Sequence, residues 1–66
     1  MKIQLNGEHR DIPDHSTAQD LVELLGLAGK RLAMEVNREI VPRTAYAEHR
    51  LQPGDTVEIV HAIGGG

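Results

Sequence analysis

The chemistry open to this chain gathers at its end. Gly64-Gly65-Gly66 closes a sequence of 66 residues, and residues without side chains neither pack nor hold a strand and lose the most conformational freedom on ordering. As an extended tail they reach roughly 10 Å past the last packed residue, thin enough for a channel that would exclude side chains. The group they present is the α-carboxylate of Gly66. With an ordinary pKa of about 3.3 to 3.7 it is ionised at neutral pH, and it is a poor acyl donor until it is esterified or adenylated. A frayed or appended end is the alternative reading of three glycines alone. The other reactive side chains are scattered. His9, His15, His49 and His61 show no i, i+4 pairing and no carboxylate at ligand spacing, so surface histidines rather than a metal site are expected. Ser16 and Thr17 have no adjacent base to activate them, and Asp14 and Asp20 suit turn and cap positions better than acid/base work. The terminal glycines do not make a phosphate loop either, since no helix follows them.

Composition narrows the class. A chain of this length makes one domain and buries only about 60% of its unfolded surface, which leaves one small core and little room for a deep catalytic cleft. The net charge of -3 comes from signs spread along the sequence. There is no Lys/Arg cluster with interleaved aromatics, which argues against a nucleic acid partner. There is no cysteine, so neither a disulfide framework nor persulfide chemistry on a side chain is available. No apolar run approaches a membrane span and the N-terminus lacks a signal pattern, so no membrane association and a cytoplasmic location are expected.

The elements that must hold the tail follow in order. Met1, Ile3 and Leu5 alternate with Lys2, Gln4 and Asn6 as in a strand with one buried face. Asn6-Gly7 has the residues of a type I′ turn, so a second strand runs back through Ile12, its one clear core residue, to Pro13. Ser16 with Gln19, or Thr17 with Asp20, has capping-box spacing, and the sequence leaves both open. Ala18, Leu21, Val22 and Leu25 form the buried stripe of a helix, widened by Leu24. Gly26 stands at the left-handed stop, with Leu27 making the accompanying contact. Leu32, Met34 and Val36 alternate as a third strand; Asn37-Arg38 turns into a short fourth strand, Glu39-Ile40-Val41, ended by Pro42. Thr44 is placed to cap a single helical turn through Tyr46 and Ala47, and Leu51 returns to the core. Pro53-Gly54 suits a type II turn. The last strand carries Val57 and Ile59 on one face and Glu58 and Val60 on the other, and runs through His61, Ala62 and Ile63 into the glycines. This order predicts an α+β roll of the β-grasp, ubiquitin-like type, a mixed five-stranded sheet with one main helix across it and a helical turn before the last strand. The first and last strands lie parallel at its centre. Residues 1–63 form the domain and 64–66 a flexible tail.

With these residues in place the chain resembles the ubiquitin-like sulfur carriers, and more narrowly is similar to the ThiS family of thiamine biosynthesis. The resemblance runs through Val36-Asn37, Ile40-Val41-Pro42-Arg43, Tyr46, Leu51, Gly54-Asp55 and the terminal glycines, and spans the whole chain. Tyr46 stands where relatives often have Trp. Position 64 often differs in relatives, so only Gly65 and Gly66 inherit the diglycine role. The short Asn6-Gly7 hairpin and the total length fit this family better than the small subunit of molybdopterin synthase, which usually carries insertions.

The resemblance implies a carrier and not an enzyme. A partner adenylyltransferase of the ubiquitin-activating-enzyme-like (ThiF) type uses ATP to convert the Gly66 carboxylate into a glycyl adenylate. A sulfur donor such as a cysteine desulfurase then leaves a thiocarboxylate, 1-thioglycine, which supplies thiazole synthase (ThiG). No cofactor is bound by the carrier itself. Gly64 and Gly65 thread the terminus into partner sites. Val60, on the face opposite Val57 and Ile59, is expected to join Ala62 and Ile63 in an apolar docking patch rimmed by Arg43 and Glu58. Burial of Val60 under a loop is the alternative. Two other functions fit the same residues less closely: a carrier for molybdopterin or tungsten cofactor synthesis or a protein-conjugated modifier, and a binding module whose diglycine is incidental.

Overall fold

The first hairpin closes because Asn6 and Gly7 both accept the left-handed backbone that a type I′ turn needs, with φ of 49° and 85°. It joins β1 (Lys2–Leu5) to β2 (Glu8–Asp11), paired antiparallel from Lys2 with Asp11 to Leu5 with Glu8. β2 ends at Asp11, one residue before the expected end. Ile12 stays paired to Met1 through its N–H and is buried in the core. The computed structural model describes residues 1–61. The expected continuation of the last strand through Ala62 and Ile63, and the expected tail over 64–66, lie outside the described residues.

α1 (Ala18–Leu24) is capped by Thr17. The Thr17 hydroxyl accepts from the Asp20 N–H, and the Asp20 carboxylate accepts from the Thr17 N–H, which settles the choice between the two possible boxes. Ser16 is instead buried and donates to the Pro13 carbonyl at 2.6 Å. The helix ends as expected, in a Schellman arrangement. Gly26 takes φ of 74°, its N–H bonds the Glu23 carbonyl, and the Leu27 N–H reaches Val22. Ala18, Leu21 and Val22 are buried, but Leu24 is 51% exposed and does not widen the stripe. A helix of two turns on a small sheet has only a narrow face to bury, and Leu24 lies beyond its edge.

β3 (Leu32–Val36) and β4 (Glu39–Val41) form the second hairpin, and β5 (Thr56–His61) lies between the two hairpins in the order β2-β1-β5-β3-β4. β5 runs parallel to β1 and antiparallel to β3. Between β4 and β5 a 3-10 turn spans Arg43–Ala45. Thr44 lies inside it, and Pro42 precedes it without a side-chain cap, so the expected Thr44 cap is corrected. The rigid φ of Pro42 starts the turn where a capping hydroxyl was anticipated. Tyr46 and Leu51 are buried from this connection, which is stitched to the helix by Ala18 N–H to His49 O and Leu51 N–H to Ser16 O. The core gathers Ile3, Leu21, Met34, Leu51 and Val57 at its centre, between α1 and one sheet face.

Candidate functional site

The site is the end of β5 and the sheet face around it. β5 is the middle strand, paired to β3 through His61 and to β1 only as far as Val57. On the β3 side the ladder continues to the last described residue, with Leu32 opposite His61. On the β1 side the strand partner turns away at Asn6, and a side chain replaces it. The Asn6 amide donates to the Ile59 carbonyl at 3.2 Å and accepts from the Ile59 N–H at 2.9 Å, two bonds that imitate a further backbone pair. The turn residue is thus also a clamp on the strand that carries the terminus. Sequence reading assigned Asn6 only its turn role, because a period-2 pattern carries no signal for a side chain standing in for a strand.

Alternation along β5 separates two faces. Val57 and Ile59 are buried, whereas Glu58 is exposed and Val60 is 73% exposed, so Val60 does not pack under a loop. Ala62 and Ile63, the other apolar members of the expected patch, lie outside the described residues, as do Gly64, Gly65 and Gly66. Arg43 is exposed and its guanidinium donates to the Lys30 carbonyl at 2.9 Å. That bond ties the 3-10 turn to the segment entering β3, whose first residue faces His61. Arg43 therefore stands at the end of the sheet where β5 finishes, while Glu58 lies among the outward residues of β5 itself. Burial raises the Tyr46 phenol above its ordinary pKa, and the nearby Arg43 charge opposes that push.

The open face extends further than the sequence indicated. Register sets Ala33 opposite Val60 and Glu35 opposite both Ile40 and Glu58. Ile40 is 76% exposed. Ala33, Ile40 and Val60 therefore form one apolar surface across three strands, interrupted by two carboxylates. Strand order is what brings Ile40 here, and order is not written in local periodicity.

Little else resembles a site. Among the described residues no group of three or more His, Cys, Asp and Glu lies together to hold a metal ion. The first N–H groups of α1 are spoken for: Ala18 bonds His49 O, Gln19 bonds Tyr46 O and Asp20 bonds Thr17. An open groove of about 430 Å³ lined by Val36, Pro42 and Arg50 sits at the opposite end of β3 from the residue facing His61. His9 and His15 are exposed, but His49 is half-buried, and His61 is half-buried on the inward side of β5. The expectation of four surface histidines thus fails for His49 and His61, since strand parity turns His61 toward the core.

The model of the ThiS family matches residues 3–66. The chain belongs to the ThiS family. Its likeness to relatives agrees with this. The sulfur carrier protein ThiS of Bacillus subtilis is 40% identical over 67 residues, which cover 97% of this chain and 98% of that protein. The crystal structure of the thiamine biosynthesis protein ThiS from Geobacter metallireducens superposes with a TM-score of 0.84 at 26% identity, covering all of both chains. A thiazole synthase of Paramagnetospirillum magneticum is 42% identical over 66 residues. This ThiS-family chain is covered in full there but spans only 20% of that protein's length. The β-grasp sheet order is thus that of a ThiS-type domain. Among the described residues no helix is long and apolar enough to cross a membrane.

Proposed function

We propose that this ThiS-family chain is a sulfur carrier of thiamine biosynthesis that works as a co-substrate of its partners, with Gly66 as the cargo-bearing residue. The Gly66 carboxylate oxygen attacks the α-phosphorus of ATP on a ThiF-type adenylyltransferase; pyrophosphate leaves and an acyl-adenylate forms. A donor such as a cysteine desulfurase supplies sulfur as a persulfide, which attacks the glycyl carbonyl as AMP leaves; a thiol reductant then cleaves the resulting acyl disulfide, taking the donor's sulfur into a disulfide and leaving the thiocarboxylate on Gly66. Transfer of that sulfur to the substrate of thiazole synthase, with an oxygen from water or from the acceptor's carbonyl taking its place, returns the carboxylate. The chain contributes no catalytic group: an inert acid needs a leaving group, and the partner supplies it.

The observation that carries this reading is the family match, which runs through Gly66. Its support is physical as well. β5 precedes the glycines as a strand paired to β3 through His61 and clamped by Asn6 at Ile59, while Gly64 and Gly65 offer no side chain to a narrow channel. Val60, Ala62, Ile63, Arg43 and Glu58 are the proposed contact residues beside it. The presence of a similar segment within a thiazole synthase polypeptide supports that enzyme as the acceptor.

The test is intact mass after incubation with ATP, a sulfide source and the adenylyltransferase. Conversion of COOH to COSH adds about 16 Da, the difference between sulfur and oxygen. The unaltered chain is expected to show the gain, and a chain lacking Gly66 to show none while melting at the same temperature. A gain that survives deletion of Gly66 would refute the assignment.

A further inference from the structure

The open sheet face has an internal conflict that the free chain does not resolve. Glu35 on β3 and Glu58 on β5 are direct partners in the antiparallel register. Like charges directly opposite on neighbouring strands disfavour the sheet. Among the described residues the one ion pair is that of the Met1 amine with Asp14, so neither carboxylate has a cation within reach there. Apolar side chains adjoin the pair: Ala33 with Val60 two residues along the ladder on the same face, and Ile40 across from Glu35 on β4. Together these residues enclose a shallow depression of about 130 Å³.

We propose that this face receives a basic side chain of the activating enzyme, inserted between Glu35 and Glu58 with its stem against Ala33, Ile40 and Val60. Arginine suits the position best. Its planar fork can bond two carboxylates at once, and its stem is apolar. The charge of the depression commits the occupant to a cationic residue; a purely apolar partner would bury two unpaired carboxylates. The activating enzyme is the partner in question because it meets the chain first, and a carrier that fails to dock there never acquires cargo. The inference rests on the carrier reading for the identity of that enzyme. The orientation follows from the fold: a partner seated over β3–β5 is aligned with the strand that leads to the glycines.

The experiment compares the unaltered chain with E35Q/E58Q and with E35K/E58K, by thermal melting, by direct titration of the activating enzyme with ATP withheld, and by steady-state adenylation. Removing the repulsion in E35Q/E58Q is expected to raise the melting temperature by about 1–5 °C. The same change is expected to weaken binding about tenfold or more at low salt, with a matching rise in KM for the carrier, an unchanged kcat and a flatter salt dependence. E35K/E58K is expected to abolish binding. A purely structural pair would move melting without moving affinity. Adenylation of the unaltered chain together with equal binding by all three chains would overturn the docking inference and leave the carrier reading standing. Binding that depends on the glutamates without any adenylation would keep the docking face and refute the carrier reading. Absence of both binding and adenylation for the unaltered chain would overturn both, and adenylation without binding would overturn the docking inference alone. Self-association that the substitutions abolish would assign the face to a second copy and also overturn the inference.

Discussion

Asn6 does two jobs that different substitutions separate. Its φ of 49° serves the turn, and its amide holds both backbone groups of Ile59. Asn6→Gly keeps the turn and removes the clamp. It is expected to cost about 1–2 kcal/mol and to speed amide exchange at Ile59 selectively, read by hydrogen exchange. Asp14 gives a pH-dependent case. Its carboxylate bonds the Met1 amine at 2.8 Å, and that hydrogen bond, with the amine's charge, holds its pKa below the ordinary value. A lowered folded pKa stabilises above the unfolded value of about 3.9 and the effect is lost as pH falls through the folded one. Denaturation midpoints of the unaltered chain should therefore fall below about pH 4 more steeply than those of Asp14→Asn. Residue types spoke clearly in the sequence where chemistry is local: the Asn6-Gly7 turn, the Gly26 stop, the two possible capping boxes. They were silent on the Asn6 clamp, because Ile59 is its neighbour only after the fold brings the ends of the chain together.

At the scale of elements, the two hairpins differ in how well their turns suit their sequences. Asn37 and Arg38 both adopt positive φ, 52° and 70°, and Arg38 has a Cβ to accommodate there. Arg38→Gly is expected to stabilise the chain by about 0.5–1 kcal/mol, seen as a higher urea midpoint with unchanged slope. A lower midpoint would mean that the Arg38 side chain contributes more than its backbone costs. The strands, the helix and their order were legible because period-2 and period-3.6 patterns are separated by Gly, Pro and Asn at their boundaries. Helix width was less so. Leu24 follows the apolar pattern but falls outside what so small a sheet can cover. Thr44 suits a cap by type, yet Pro42 supplies the backbone that starts the turn.

For the whole molecule, a small core supports β5, and the proposed chemistry belongs to the residues that follow it in sequence. Met34 is fully buried and pairs with both Val41 and Ile59. Met34→Ala is expected to cost about 2–5 kcal/mol. Total stability at this size is on the order of 3–10 kcal/mol, so the melting temperature should drop by about 10 °C or more in a circular dichroism scan. The parallel pairing of β1 with β5 was legible from the short connections and the roll topology. The apolar surface of Ala33, Ile40 and Val60 was legible only in part, through Val60, since the others join it by sheet order. The account turns on where sulfur ends up. Tandem mass spectrometry of the C-terminal peptide, after incubation with ATP, a sulfur source and the activating enzyme, locates it. The expected result is a thiocarboxylate on Gly66 and no sulfur gain elsewhere; sulfur on any other residue, or a Gly66 left as carboxylate by an enzyme active on another carrier, would contradict the account.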